Sequence, residues 1–272
     1  TTYAFPTFGN QCISDLNTDL VLKAIEPIWI TKAETASRVR QRIETVWDWA
    51  RARKYVEGEN PARLRGHLDK ILAKTSKVKR VKHHPALPYK QIGSFIINLR
   101  ERNGSTALAL EFMILTAART GEVRGARWQE IDLAAKLWSI PADRMKAGKE
   151  HRVPLCERAV EILVSLHSNQ NPADFLFPGW KTGTGLSDGA MLVLLKKMDV
   201  GPYTPHGFRS TFRDWAAERA HQFSNETIEL ALAHTIKNRA ERAYRRGDQL
   251  ERRRDLMAAW NQYIELCRTN ED

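Results

Sequence analysis

The stretch KTSKVKRVKHHPALP, residues 74–88, constrains this chain more than any other feature of its sequence. It has no apolar periodicity, carries a run of basic side chains, and ends on Pro85 and Pro88, which drive their preceding residues out of helical geometry. Neither a helix nor a strand has a face to bury there. The chain therefore divides into a first unit over residues 1–80, a basic linker over 81–88 and a larger second unit over 89–272. Like charges in such a run suit a solvated connector or a segment lying along a phosphate backbone, and Lys77, Lys79, Arg80 and Lys82 are the candidates for that second role. At 272 residues and 42% hydrophobic content there is enough chain for a buried core in each unit.

The first unit reads as helices. Leu20, Leu22, Ile25 and Ile28 mark a helix over residues 16–29, with Asn17 and Thr18 as caps and Pro27 interrupting its end. AETASRVRQRIETVWDWARARKY places Val39, Ile43, Val46, Trp47 and Ala50 at three- and four-residue steps, and puts Arg38, Arg40, Arg42, Arg51 and Arg53 on the other face. A shorter helix follows around Leu64–Leu72. In the second unit, residues 89–102 and 106–118 are helical, and the second of these is apolar nearly all round, as a core helix is. KLWSIP and HRVPL alternate as strands, with the segment Lys146–Lys149 at the turn. Helical patterns recur at 157–167, 189–198, 208–219 and 227–234. A last periodic stretch carries Leu250, Leu256, Met257, Trp260 and Ile264. The fold class that follows is mainly α with a small antiparallel β-sheet.

Lysine and arginine total 43 against 32 acids, a net charge of +11. Such a balance suits a polyanionic partner better than a small neutral substrate, and nucleic acid leads that class. No apolar run approaches the ~20 residues of a spanning helix, and the N-terminus carries no signal-peptide pattern, so no membrane partner is expected and a cytoplasmic location is. Cys12, Cys156 and Cys267 are odd in number, widely spaced and without a CxxC pair, which speaks against a disulfide framework or a zinc module.

Four segments of the second unit carry residues able to do chemistry. In TAARTGEVRGARW, Arg119 follows an apolar helix and Glu122, three residues on, can hold it by a charge-assisted bond. In RMKAGKEHRVPL, Lys146 and Lys149 flank a turn. In TPHGFRSTFRDWA, His206 and Arg209 stand one turn apart near a helix N-terminus, where the dipole favours an anion. In LALAHTIKNRAERAY, His234 closes an apolar helix and Tyr244 lies among arginines ten residues later. Taken singly, each has an ordinary reading as an ion pair, a surface lysine, a core histidine or a packed tyrosine. Taken as an ordered set, Arg119, Lys146, His206, Arg209, His234 and Tyr244 supply what phosphodiester transesterification needs: a nucleophile, positive charge on the non-bridging oxygens, and a proton donor for the departing alkoxide. No HExxH, EF-hand or Walker pattern occurs, so no metal and no cofactor is implied.

These four stretches closely resemble the tyrosine recombinase family, and within it the integrases of P4-like prophages and genomic islands. The resemblance implies that Arg119 and Arg209 clamp the scissile phosphate and that Lys146, with Lys149 as the alternative, protonates the leaving 5′ oxygen. It further implies that His206 assists proton transfer at the tyrosine, that His234 bonds the phosphate, and that Tyr244 attacks to leave a 3′-phosphotyrosine link, with Glu122 supporting Arg119. Residues 1–80 then resemble the helical core-binding domain, truncated at its first helix and without the family's N-terminal arm-binding domain, with Arg38 and Arg42 facing DNA. Residues 89–272 resemble the catalytic domain. The implied activity is site-specific DNA recombination for integration and excision of a mobile element. The implied partners are double-stranded attachment sites, a homotetramer on DNA and a monomer without it, and accessory DNA-bending and excision proteins, in a nucleoid-associated setting. Segments such as Asp255–Cys267 would pack on a neighbour or within their own domain. Two rivals remain: a type IB topoisomerase using the same chemistry, and a DNA-binding regulator without catalysis.

Overall fold

The computed structural model describes residues 2–73, 85–167, 171–234 and 247–269. Two compact units emerge, Thr1–His83 and His84–Asp272. Lys77, Lys79, Arg80, Lys82 and Tyr244 lie outside the described residues.

The first unit opens with a short helix α1 (Phe5–Phe8), followed by α2 (Thr18–Trp29) and α3 (Ala33–Ala52). The Asn17 side chain caps α2 by accepting the Leu20 amide at 3.0 Å. Pro27 does not end this helix, which continues to Trp29. Val21, Ala24, Ile25 and Trp29 of α2 pack on Ala36 and Ile43 of α3, with Ala62, Leu68 and Leu72 closing the core. Three sequence expectations fail here. The helix around Leu64–Leu72 is only a 3₁₀ turn at Leu68–Lys70, because Gly66 takes a left-handed φ of 74° just before it. Arg40 is not on the solvent face; it is buried, donating to Glu44 at 2.6 Å and to the Ala62 carbonyl at 2.7 Å. Val46, expected inside, is 55% exposed beside Trp49 at 54%.

The second unit is built around α5 (Ser105–Thr116), from which residues Ala109–Thr116 are all buried. Its one charged member, Glu111, is satisfied by Arg100 at 2.7 Å and Arg158 at 2.8 Å. Around it lie α4 (Ile92–Arg100), α6 (Thr120–Arg124), α7 (Glu157–Leu166), α8 (Ala190–Met198), α9 (Gly207–Arg219), α10 (Asn225–Ala231) and α11 (Leu250–Thr269). The expected strands form β2 (Leu137–Ile140) and β3 (His151–Pro154), and a two-residue strand β1 (Ile131–Asp132), absent from the sequence reading, completes an antiparallel sheet in the order β1-β2-β3. Trp138 pairs with Val153 and Ile140 with His151, which fixes the hairpin that carries Lys146. In α11 the periodic residues Leu256, Met257, Trp260 and Ile264 are buried, and Trp260 Nε1 donates to the Ile114 carbonyl at 2.9 Å. Its apolar stripe is covered within its own unit rather than by a neighbour.

Candidate active site

Helix α5 stops at Ala117, which takes a left-handed φ of 50°, and α10 is followed by Ala233 with a φ of 49°. Each reversal turns the last carbonyls of a helix, which have no intrahelical donor, toward a single point. The donors waiting there are two guanidiniums. Arg209 Nη1 donates to the Ala117 carbonyl, and its Nη2 donates to the Leu232 carbonyl at 2.6 Å. Arg119 Nη2 donates to the Ala233 carbonyl at 3.0 Å and approaches the same Leu232 carbonyl at 3.4 Å. Two side chains separated by ninety positions in the chain thus share one acceptor, and the negative ends of two helices hold them.

Glu122 fixes Arg119 from the other side. Its carboxylate accepts Arg119 Nη1 at 2.6 Å and the Arg119 amide at 2.8 Å, so one buried acid both caps α6 and orients the guanidinium. Among the described residues no carboxylate bonds Arg209 directly, and Glu122 and Glu229 act on it only through space. Burial and the neighbouring charge of Arg119 together lower its pKa to about 10, still well above neutrality. His234 completes the group, with Nε2 3.3 Å from Arg209 Nη2 and Nδ1 2.7 Å from Glu229 Oε2. With Nδ1 donating to the acid, Nε2 of the neutral ring is the acceptor that meets Arg209. Glu229 is itself held by Arg213 Nε at 2.8 Å; burial alone would raise its pKa, but the bonds from His234 and Arg213 bring it below the ordinary carboxylate value.

His206 sits at the start of α9, exposed, one turn before Arg209. The neighbouring Gly207 is obligatory, since a Cβ there would meet the Pro85 carbonyl at 2.3 Å. Chain passing over α9 at this point is tied down by Thr211 Oγ1, which donates to the Leu87 carbonyl at 2.6 Å. Lys146 and Lys149 are exposed on the β2–β3 connection. Its base is held by the buried Met145 and by Arg144, which donates to Glu130 and to the Glu122 carbonyl. The structure therefore brings Arg119, Glu122, Arg209 and His234 into direct contact, and leaves Lys146 on a braced hairpin without a bond to them. In the first unit Arg38 and Arg42 are exposed on α3, Arg38 in an ion pair with Glu34 at 2.7 Å. Both border an open cavity of about 630 Å³ that Tyr3, Phe5 and Phe8 also line.

The sequence reading missed several members of this site. Glu229 and Arg213 hold His234, and the four-residue step from Arg209 to Arg213 on one helix was the available signal. His151, the first residue of β3, is partly buried and carries a pKa lowered to about 4 by burial and by the charges of Arg253, Arg119 and Arg209, against a smaller opposing pull from Glu122. Nothing in the motif HRVPL distinguishes it from an ordinary strand residue. As chemistry, two guanidiniums oriented by carbonyls, with Glu122 bonded to Arg119 alone, make a cationic group that can receive an oxyanion.

Residues 1–67 match the phage integrase central domain and residues 86–251 match the phage integrase family. The chain is 31% identical over 268 residues to prophage integrase IntA of Escherichia coli (strain K12), covering 97% of this chain and 62% of that protein. It is 29% identical over 286 residues to the integrase of Enterobacteria phage P4, covering 98% and 63% respectively. The chain thus spans about six-tenths of the length of these relatives. Its fold is similar to that of lambda integrase(75-356) in a dimer bound to a COC′ core site, with a TM-score of 0.61 at 16% identity over 86% of this chain and 85% of that one. A lambda integrase tetramer bound to a Holliday junction gives a TM-score of 0.63 at 14% identity, covering 88% and 70%. With half of its length and more matched by one family model, the chain belongs to the phage integrase family of tyrosine recombinases.

Proposed function

We propose that this chain cleaves and rejoins double-stranded DNA at specific attachment sites through a 3′-phosphotyrosine intermediate, serving the integration and excision of a mobile element. The observation that carries this reading is the shared Leu232 carbonyl, which sets Arg119 and Arg209 side by side with His234 in a pocket whose charge an anion would balance. A scissile phosphate fits that description. Its non-bridging oxygens face the two guanidiniums, whose donors are already oriented for the negative charge that grows in the transition state, and His234 bonds the phosphate once Nε2 carries a proton.

In the reaction, the Tyr244 phenol forms a P–O bond as the P–O5′ bond breaks. His206 takes the phenolic proton, and Lys146 delivers a proton to the leaving 5′ oxygen. The phosphotyrosine ester keeps the energy of the broken bond, so a 5′ hydroxyl of a second strand reverses the step without a cofactor. Residues 1–80 act as the core-type DNA-binding domain, 81–88 as a basic linker and 89–272 as the catalytic domain, with Lys77, Lys79 and Arg80 at the end of the first and Lys82 in the linker lying along the DNA backbone. Arg38 and Arg42 belong to an exposed face of α3 that also presents Val46, Trp49 and Arg53, a mixture of phosphate-binding and apolar groups suited to a groove. Assembly as a homotetramer on paired sites, help from DNA-bending and excision proteins, and association with the nucleoid follow from the same reading.

Incubation with a nicked suicide duplex carrying the element's junction tests it. An SDS-resistant protein–DNA adduct that disappears in Tyr244→Phe is expected. No adduct with the native protein would leave a DNA-binding regulator, and relaxation of plasmid lacking an attachment site would point to a topoisomerase.

A further inference from the structure

The described chain resumes at Gly247, and the next residue, Asp248, enters a dense ionic knot. Arg152, the second residue of β3, grips the Asp248 carboxylate with two parallel bonds, Nη2 to Oδ1 at 2.7 Å and Nε to Oδ2 at 3.0 Å. Arg253, only 1% exposed on the first turn of α11, bonds Oδ2 at 2.7 Å and the Asp248 carbonyl at 2.7 Å, and its Nη1 donates to the Arg152 carbonyl. Burial favours the protonated acid, yet the bonds and charges of Arg152 and Arg253 hold the Asp248 pKa below the ordinary value, so the knot is ionic at neutral pH. The next residue, Gln249, takes a left-handed φ of 54° and turns its side chain onto α10, accepting from Thr227 Oγ1 at 2.7 Å and donating to Glu226 at 2.8 Å.

The placement of these contacts is what matters. β3 leads directly out of the hairpin that carries Lys146, and its first residue, His151, feels the charges of Arg119 and Arg209. α10 carries Glu229, the residue that orients His234, and runs into the Leu232 and Ala233 carbonyls that hold both arginines. Asp248 and Gln249 therefore tie the chain that leaves the tyrosine to β3, beside the Lys146 hairpin, and to α10, whose following carbonyls hold both arginines.

Resting on the reading of Tyr244 as nucleophile, we propose that Asp248, locked by Arg152 and Arg253, is a positioning residue that sets where the tyrosine attacks. Four residues of chain span at most roughly 14 Å, so fixing Asp248 against Arg152 and Arg253 limits the distance the tyrosine can be carried from β3. A buried arginine with two chain segments in its grip is a rigid link, and Arg152 supplies the geometric part through its fork.

Single-turnover adduct formation on the suicide duplex, measured for Asp248→Asn and for Arg152→Ala, tests this. Arg152 is 41% exposed, and its removal leaves the Arg253 pair with Asp248 in place, so that variant keeps the fold should Asp248→Asn not. The expected result is a rate constant lowered about 10- to 100-fold, with full burst amplitude and unchanged DNA affinity, while Arg152→Lys recovers part of the rate. A duplex with a 5′-bridging sulfur, whose leaving group needs no proton, should rescue Lys146→Ala and leave Arg152→Ala slow. Reduced amplitude at an unchanged rate constant would reduce the knot to a purely structural role, and rescue by sulfur would place its effect on the lysine hairpin; either overturns the proposal. An adduct persisting in Tyr244→Phe would instead refute the underlying choice of nucleophile.

Discussion

His151 offers the sharpest physical check on the charge arrangement of the site. In the unfolded chain its imidazole takes up a proton near the ordinary value of 6.5, whereas in the folded protein burial and three nearby arginines hold it to about 4. Between those values the unfolded chain binds the extra proton and the folded one does not, so lowering the pH favours unfolding; below about 4 both are protonated and the effect saturates. The full difference of about 2.5 units corresponds to about 3 kcal/mol, of which about 2 kcal/mol is expressed between pH 7 and pH 5. Carboxylates lose their own contributions in acid, but they do so equally in a His151→Gln variant. The native protein should therefore lose about 2 kcal/mol more than the variant over that interval in urea unfolding. The ring Cε1–H resonance should stay at its neutral position until well below pH 5. A midpoint close to 6.5, or parallel pH profiles for the two chains, would mean that His151 is not buried beside Arg253.

Gly207→Ala drives a Cβ to 2.3 Å from the Pro85 carbonyl and should cost about 1–3 kcal/mol while displacing His206 and Arg209, read as a lower melting temperature and lost adduct. Glu229→Gln leaves one oxygen for two donors, so His234 or Arg213 goes unpaired; the adduct rate should fall about 10- to 100-fold, the kinetic equivalent of a charged hydrogen bond, with DNA affinity unchanged. Asp199, at the C-terminal end of α8 with a φ of 51°, combines a left-handed backbone with a negative charge where the helix dipole is already negative, so Asp199→Gly should stabilise the protein by about 0.5–1 kcal/mol in urea titrations.

The parts of this fold that were legible in the sequence are those in which neighbours along the chain are neighbours in space. The all-apolar α5, the β2–β3 alternation and the stripe of α11 follow from periodicity, and Glu122 is one helical turn from the arginine it holds. Where long-range contacts decide, the sequence was silent or misleading. Arg40 occupies a position that charge assigns to solvent, yet a carbonyl twenty-two residues away draws it inside. Val46 obeys the apolar period and stays exposed, because no described residue of its own unit buries it. β1 is two residues long and exists only by pairing with β2, so it leaves no local pattern. At the site, residue types and order pointed to the clamp, while its mechanism of assembly, through the carbonyls of Ala117, Leu232 and Ala233, involves backbone groups that no side-chain motif can encode.

That assembly explains why the site is poised for an anion. A left-handed alanine costs about 1–2 kcal/mol relative to ordinary helical geometry, and the fold accepts it twice, at Ala117 and Ala233. Burying Arg209 beside Arg119 adds a further cost, visible in its lowered pKa. Carbonyl dipoles take the Nη2 group of Arg119 and one N–H on each Nη of Arg209 without neutralising either charge, Glu122 bonds only Arg119, and Glu229 acts on Arg209 only through space. Had a second carboxylate faced Arg209, the pocket would be more stable and electrically closed, and an incoming phosphate would have to displace it. With carbonyls instead, the donors are oriented, the charge is left over, and any anion seated between the arginines recovers part of the energy that burial withheld. The strain at two alanines and the lack of a bonding carboxylate on Arg209 among the described residues are thus one feature of the fold: they hold positive charge in place and, on the proposed function, keep it available to a phosphate.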